Sequence, residues 1–267
     1  MIESGRCDQH PAATGLFLFH LPLSGSLLNL TDMALPPGFV VRKFDSRDRD
    51  AVRFLCCETG FLGKPVDPVF EDRELFADYL TSYYTDVEPE SCFVMEQNGR
   101  IVGYLLGSRR PFRQQIYSFV QNILLFLRGM SRYPSYNRAT RDFIGWILRN
   151  SWREVPAAPR RTAHFHFNVL PEAQGAARTS VMMNAYFDYL REKGEKAVFG
   201  QMVTFESRRG AKVLERYGFR VIEKREITKW RDKHPEPVYL TTVVKQLDAT
   251  QSSGTGDAGS DRAALTQ

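Results

Sequence analysis

The segment NVLPEAQGAARTSVMMNAYFDYL, residues 168–190, carries the local order that decides the fold. A short β-prone run, Asn168, Val169 and Leu170, meets Pro171. Gln174 and Gly175 follow, then Ala176 and Ala177, and after Arg178 and Thr179 an apolar helical period begins. A strand, a turn of small residues and a helix start, in that order, make a place for a phosphate. The first N–H groups of a helix lack intrahelical partners, and the helix dipole adds positive potential there. Small side chains let the backbone come close to the anion.

Outward from this segment the patterns alternate. FVVRKF from Phe39 is β-prone, and RDRDAVRFLCCETGFLG has helical spacing through Val52, Leu55 and Cys56. A second helical run carries Leu75, Phe76, Tyr79 and Leu80. In CFVMEQNGRIVGYLLGSRR two β-prone runs flank Gln97-Asn98-Gly99, and Asn-Gly is the pair a type I′ hairpin turn favours. TAHFHFNV from Thr162 is a strand leading into the opening segment, whose helix is closed by Gly194. KAVFGQMVTF reads as a strand, SRRGAKVLERYGF as a helix ending at Gly218, and FRVIEKREITKW and PVYLTTVVKQL as two further strands. The order β-α-α-β-β, then β-α-β-α-β-β, predicts an α/β (α+β) sandwich on a mixed central sheet flanked by helices.

The chain has 267 residues, 43% of them hydrophobic and 25% charged, values of a globular protein with a sizeable core. Its four cysteines, Cys7, Cys56, Cys57 and Cys92, show no metal-ligand spacing. They read as free thiols of a reducing compartment, so a cytoplasmic location and no metal site are expected. No run reaches the roughly 18 apolar residues of a membrane span. GLFLFHLPLSGSLLNL near the start is broken by His20, Pro22 and Ser24. Residues 1–33 are therefore expected to be an extension, with Met33 an alternative start. Residues 34–247 form the domain, and the Gly/Ser-rich residues 248–267 a disordered tail.

Residues 109–161 stand out. Phe112, Ile116, Phe119, Ile123, Leu127 and Met130 lie at helical spacing, as do Phe143, Ile144, Ile147 and Leu148, so a helical pair joined at RYPSY is expected. The segment holds eleven arginines and no lysine against Asp142 and Glu154, a net charge of +9 in a chain of +5, so the remainder carries −4. Arginine in this density suits nucleic acids, anionic small molecules and membrane surfaces. No helix-turn-helix, zinc finger or RNA-binding aromatic motif accompanies it, so nucleic acid is not the expected partner. The apolar stripe needs a cover, and a lid over the acceptor side or a homodimer interface through this insert is expected.

The element order and two stretches resemble the GNAT superfamily of acyl-CoA-dependent acetyltransferases. The family signature is Gln/Arg-x-x-Gly-x-Gly/Ala after the fourth strand, and Gln174, Gly175, Ala176, Ala177, Arg178 and Thr179 occupy it. The second stretch runs from Ser207 through Gly210 and Leu214 to Gly218-Phe219. The resemblance covers about residues 39–108 and 162–247. It implies acetyl-CoA as co-substrate, with its pyrophosphate on the 174–179 loop and its pantetheine arm along Asn168, Val169 and Leu170, near Ser207. It implies direct attack by an amine of a small molecule or protein. The sequence departs from the family at Ala177 and Thr179, where glycines are usual, and at Leu214, where a tyrosine acid is usual.

Three residues are candidates for proton transfer. His164 and His166 alternate onto one strand face, and histidine titrates near neutrality. Glu206 follows the fifth strand. Arg208 and Arg209 are candidates for the CoA 3′-phosphate. Leu214 keeps a second reading open, a catalytically inactive acyl-CoA-binding regulatory module.

Overall fold

Asn98 and Gly99 both have positive φ, 49° and 82°, the pair of angles a type I′ turn requires. They join β2 (Cys92–Gln97) to β3 (Arg100–Ser108) as an antiparallel hairpin, with a bulge beside Met95 and Glu96. The structure is a computed structural model that describes residues 37–205 and 217–247. β1 (Phe39–Lys43) pairs with the outer side of β2, and β4 (Ala163–Val169) with β3, both antiparallel.

After β1 come α1 (Arg49–Glu58) and α2 (Arg73–Val87). Beyond β4, the helix α5 (Ala176–Glu192) leads to β5 (Ala197–Phe205), which lies parallel to β4. A parallel neighbour needs such a crossover helix. The chain ends the sheet with β6 (Arg220–Glu226) and β7 (Val238–Gln246), in the order β1-β2-β3-β4-β5-β7-β6. The expected mixed sheet flanked by helices is what forms.

Alternation along β4 sorts the two layers. Phe165 meets Tyr186 and Phe187 of α5 on one face. His164 and His166 meet Tyr84 of α2 on the other. Gly107 on β3 is required here, because a Cβ would stand 2.4 Å from the Tyr186 ring. Glu88 fastens the end of α2 under the sheet. Its buried carboxylate accepts from Tyr83 Oη (2.7 Å), Ser91 Oγ (2.8 Å), Ser108 Oγ (2.8 Å) and the Arg109 amide (2.7 Å).

The insert between β3 and β4 consists of α3 (Pro111–Arg132) and α4 (Arg138–Glu154). On α3 it is the polar side that faces the body: Gln121 Nε2 donates to Asp78 O (2.7 Å), Arg128 to Asp78 Oδ2 (2.8 Å) and Arg132 to Asp72 Oδ2 (2.9 Å). Its apolar stripe faces outward, with Phe112 74% and Phe119 69% exposed. α4 packs inward through Phe143, against Phe70, and through the buried Trp146. Its N-terminus is capped by Asn137 Oδ1, which accepts from the Thr140 amide (2.8 Å).

Candidate functional site

β4 and β5 form a ladder over only three residue pairs, from Ala163 and Val198 to Phe165 and Gly200. β4 then continues with β3 as far as Val169, while β5 continues with β7 as far as Phe205. Each strand follows its outer neighbour, and a seam lies between the two halves of the sheet. The 168–190 segment runs down one side of that seam and into α5.

The turn at its end fits an anion on three counts. Among the described residues no side chain caps α5 at Gly175, which leaves the first-turn N–H groups available to a ligand. Gly175 has an extended φ of 170°, and a Cβ there would meet nothing closer than the Arg178 side chain at 3.7 Å. Neither the backbone nor the packing demands a glycine at this position. The buried Thr179 hydroxyl has no hydrogen-bond partner among the described residues. Gln174 Nε2 donates to Val169 O (3.3 Å) and Arg178 Nη1 to Gln174 O (3.1 Å), which ties strand, turn and helix together. Ala176 and Ala177 form the first helical residues and are half-buried. Leu170 leads through a short turn at Pro171–Ala173.

His164, His166 and Asn168 line up on the α2 side of β4, all buried. His164 Nε2 lies 2.9 Å from Tyr84 Oη, the His166 ring packs against Tyr84 and Tyr104, and Asn168 Nδ2 donates to Tyr104 Oη (2.7 Å). Burial pushes the His164 imidazole down to about 4 and the His166 imidazole well below its ordinary value. Both are neutral at physiological pH. A group so weakly basic gives little drive to take a proton from an amine.

Tyr217 was absent from the sequence-based site. Its hydroxyl lies 3.2 Å from Ser180 Oγ, one turn into α5, and Lys245 Nζ donates to its carbonyl (2.8 Å). It stands immediately before Gly218, which has a positive φ of 76°.

At the carboxyl end of β5, Phe205 meets His234 of the β6–β7 connection (ring centroids 5.0 Å apart). In the same connection Trp230 meets Phe61 from the α1–α2 loop (6.0 Å), and Lys233 Nζ donates to Pro68 O (2.7 Å). α4 closes this wall. Glu154 accepts from Trp146 Nε1 (2.9 Å) and the Thr228 amide (2.7 Å). Lys229 Nζ lies over the rings of Trp230 (3.9 Å), Phe143 (5.1 Å) and Trp146 (5.3 Å), and burial pushes its amine well below the ordinary lysine value despite the Glu154 charge.

Glu206, Ser207, Arg208, Arg209 and Leu214 lie outside the described residues. No cluster of metal-ligating side chains occurs among the described residues. Cys56, Cys57 and Cys92 are buried, and burial pushes each thiol up, away from the thiolate a covalent nucleophile needs.

The chain is similar to a solved structure described as SsHAT, with 25% identity and a TM-score of 0.56 over 79% of this chain and 100% of that one. Fainter likenesses are an N-acetyltransferase from Staphylococcus aureus Mu50 (12% identity, TM-score 0.47, 79% and 99% covered) and the Drosophila melanogaster polyamine N-acetyltransferase (17%, 0.47, 78% and 99%). No protein-family model matches the sequence, and no curated protein matches it. The likeness to the first of these carries the fold, a seven-stranded mixed sheet flanked by helices, and the GNAT superfamily is the family that the sequence resembles.

Proposed function

We propose that the protein is an N-acetyltransferase that takes its acetyl group from acetyl-CoA bound in the seam between β4 and β5. One observation carries the reading. The β4–β5 ladder stops after Phe165 and Gly200, beside a turn whose glycine the fold itself does not require. The residues fit the ligand. The uncapped start of α5 at Ala176, Ala177 and Arg178, with the Thr179 hydroxyl, suits a pyrophosphate. The edge of Asn168, Val169 and Leu170 suits an extended amide-bearing arm.

The reaction is attack of an uncharged amine on the thioester carbon, with one proton leaving the amine and one reaching the departing thiolate. Tyr217, on the α5 side of the seam, is the phenol we assign to the thiolate proton, in place of Leu214. Glu206, the residue after β5 in sequence, is the base to test. His164 and His166 hold Tyr84 and the β4 face in place as neutral rings. The wall of Phe61, Trp230 and Trp146 would flank the acceptor, which is an amine of a small molecule or a protein.

The test sets acetyl-CoA binding beside turnover. Calorimetry with acetyl-CoA should show saturable binding, and thiol release should appear with some member of an amine panel. Binding without turnover on any amine would favour the inactive acyl-CoA-binding module, the reading Leu214 keeps open. Absence of binding would remove both.

A further inference from the structure

α3 is an amphipathic helix mounted inside out. The buried Gln114 lies on the side toward the body with Gln121, Arg128 and Arg132, and Asp78 and Asp72 receive the last three. Phe112, Ile116, Phe119, Ile123, Leu124 and Leu127 stand about half exposed or more on the other side. With 22 residues the helix is about 33 Å long. A continuous apolar strip of this length is far more than isolated surface hydrophobics amount to.

Charge decides what covers it. The insert carries +9, and Arg113, Arg141 and Arg149 are exposed and make no ion pair among the described residues. Arg113 lies at the edge of the strip, one residue after Phe112. On α4, Arg141 and Arg149 share the exposed face with Leu148 and Trp152. A second copy meeting this one through the same patch would set like charges against each other, because a two-fold interface is built from one surface used twice. An anionic bilayer has the opposite charge and also accepts apolar side chains to a shallow depth. No helix among the described residues is long and apolar enough to cross a membrane, so the contact is one of lying on the surface.

We propose that the insert docks on the surface of anionic phospholipid membranes, with the α3 strip at the headgroup–acyl boundary and the unpaired arginines on lipid phosphates. The docking leaves the seam between β4 and β5 untouched and does not depend on the acetyltransferase reading. Its consequence would be to bring the acceptor wall, which α4 helps to build, next to the bilayer.

The experiment is flotation of the full chain with phosphatidylcholine vesicles, with and without phosphatidylglycerol. The protein should float with the anionic vesicles and not with phosphatidylcholine alone, and binding should weaken in about 0.5 M salt, where surface charge is screened. Phe119→Ser combined with Leu124→Ser changes only exposed side chains, so the fold should survive. The pair should cut the bound fraction roughly tenfold or more. Arg113→Gln, Arg141→Gln and Arg149→Gln together should shift the salt dependence. Failure of the wild type to bind anionic vesicles overturns the proposal, as does binding that the Phe119/Leu124 pair leaves unchanged. Light scattering supplies another overturning result: a dimer that this pair dissociates and that ignores vesicles would make the face a self-interface. Binding that appears only when Phe17→Ser and Leu21→Ser are introduced would mean that the N-terminal apolar stretch covers the strip in the wild type, and overturns it too.

Discussion

His164 shows what burial does to a titratable side chain. In the unfolded chain it takes a proton near its ordinary value of about 6.5, while in the folded protein it does so only near 4. The unfolded state therefore binds more protons between those values, and stability falls as pH drops through that window. His166 acts in the same direction. Thermal melts between pH 7 and pH 4.5 should show a loss, and His164→Gln should flatten the slope while keeping a partner for Tyr84. A slope unchanged by the substitution would mean that the imidazole titrates normally. Tyr217 makes a second residue-scale case. Tyr217→Phe should lower kcat by about 100-fold, a usual size for one proton donor, with acetyl-CoA affinity retained. Unaltered turnover would take the acid role away from it.

At the scale of elements, the start of α5 and the end of α2 are open to test. Gly175→Asp puts a carboxylate at an extended position with room for a Cβ, so the melting temperature without ligand should hardly move. Wild-type protein at a hundredfold excess of acetyl-CoA over Kd should gain about 2.7 kcal/mol, and the variant should gain none. A wild type that gains nothing would count against the seam as a ligand site. Glu88→Ala would strand three buried donors and the half-buried Arg109 amide at the root of the insert. It should cost about 3–5 kcal/mol in denaturant unfolding, more than Glu88→Gln, which keeps an acceptor. The elements themselves were largely legible in the sequence where their causes are local. Asn98-Gly99 announces its own turn, and the apolar periods of α2, α3 and α5 announce helices. The seam was legible only through the resemblance, since a ladder that stops after three pairs leaves no mark on composition. The Tyr84–His164 contact spans 80 positions and the Ser180–Tyr217 contact 37, so neither has a local signature. The α3 period was read correctly, yet amphipathicity alone does not say which side faces the body. Asp78 on α2 and Asp72 at its cap decide that, 50 and 60 positions away from their arginines.

At the scale of the molecule, the insert is fastened to the body at both ends and in between, and Asp72 and Asp78 of the body keep partners of their own without it. Asp78 remains paired with Arg53 (2.5 Å), and Asp72 still caps α2 by accepting from the Leu75 amide (3.0 Å). Core residues such as Tyr104, Phe165 and Leu190 are buried by the sheet and by α1, α2 and α5. The proposed acceptor wall is different. Without α4, the Thr228 amide loses Glu154, and Lys229 loses Phe143 and Trp146 as neighbours. Replacing residues 111–158 by a short Gly/Ser linker should therefore leave a folded chain whose melting temperature still rises with acetyl-CoA by nearly the wild-type amount. The acceptor KM should rise by tenfold or more, on the order of the 1.4 kcal/mol that one lost polar contact supplies, and vesicle binding should disappear. Parallel calorimetry and thiol-release kinetics would read the two separately. A shortened chain that turned over acceptor normally but no longer bound acetyl-CoA would place the insert at the donor side of the seam, contrary to the wall that Phe61, Trp146 and Trp230 define.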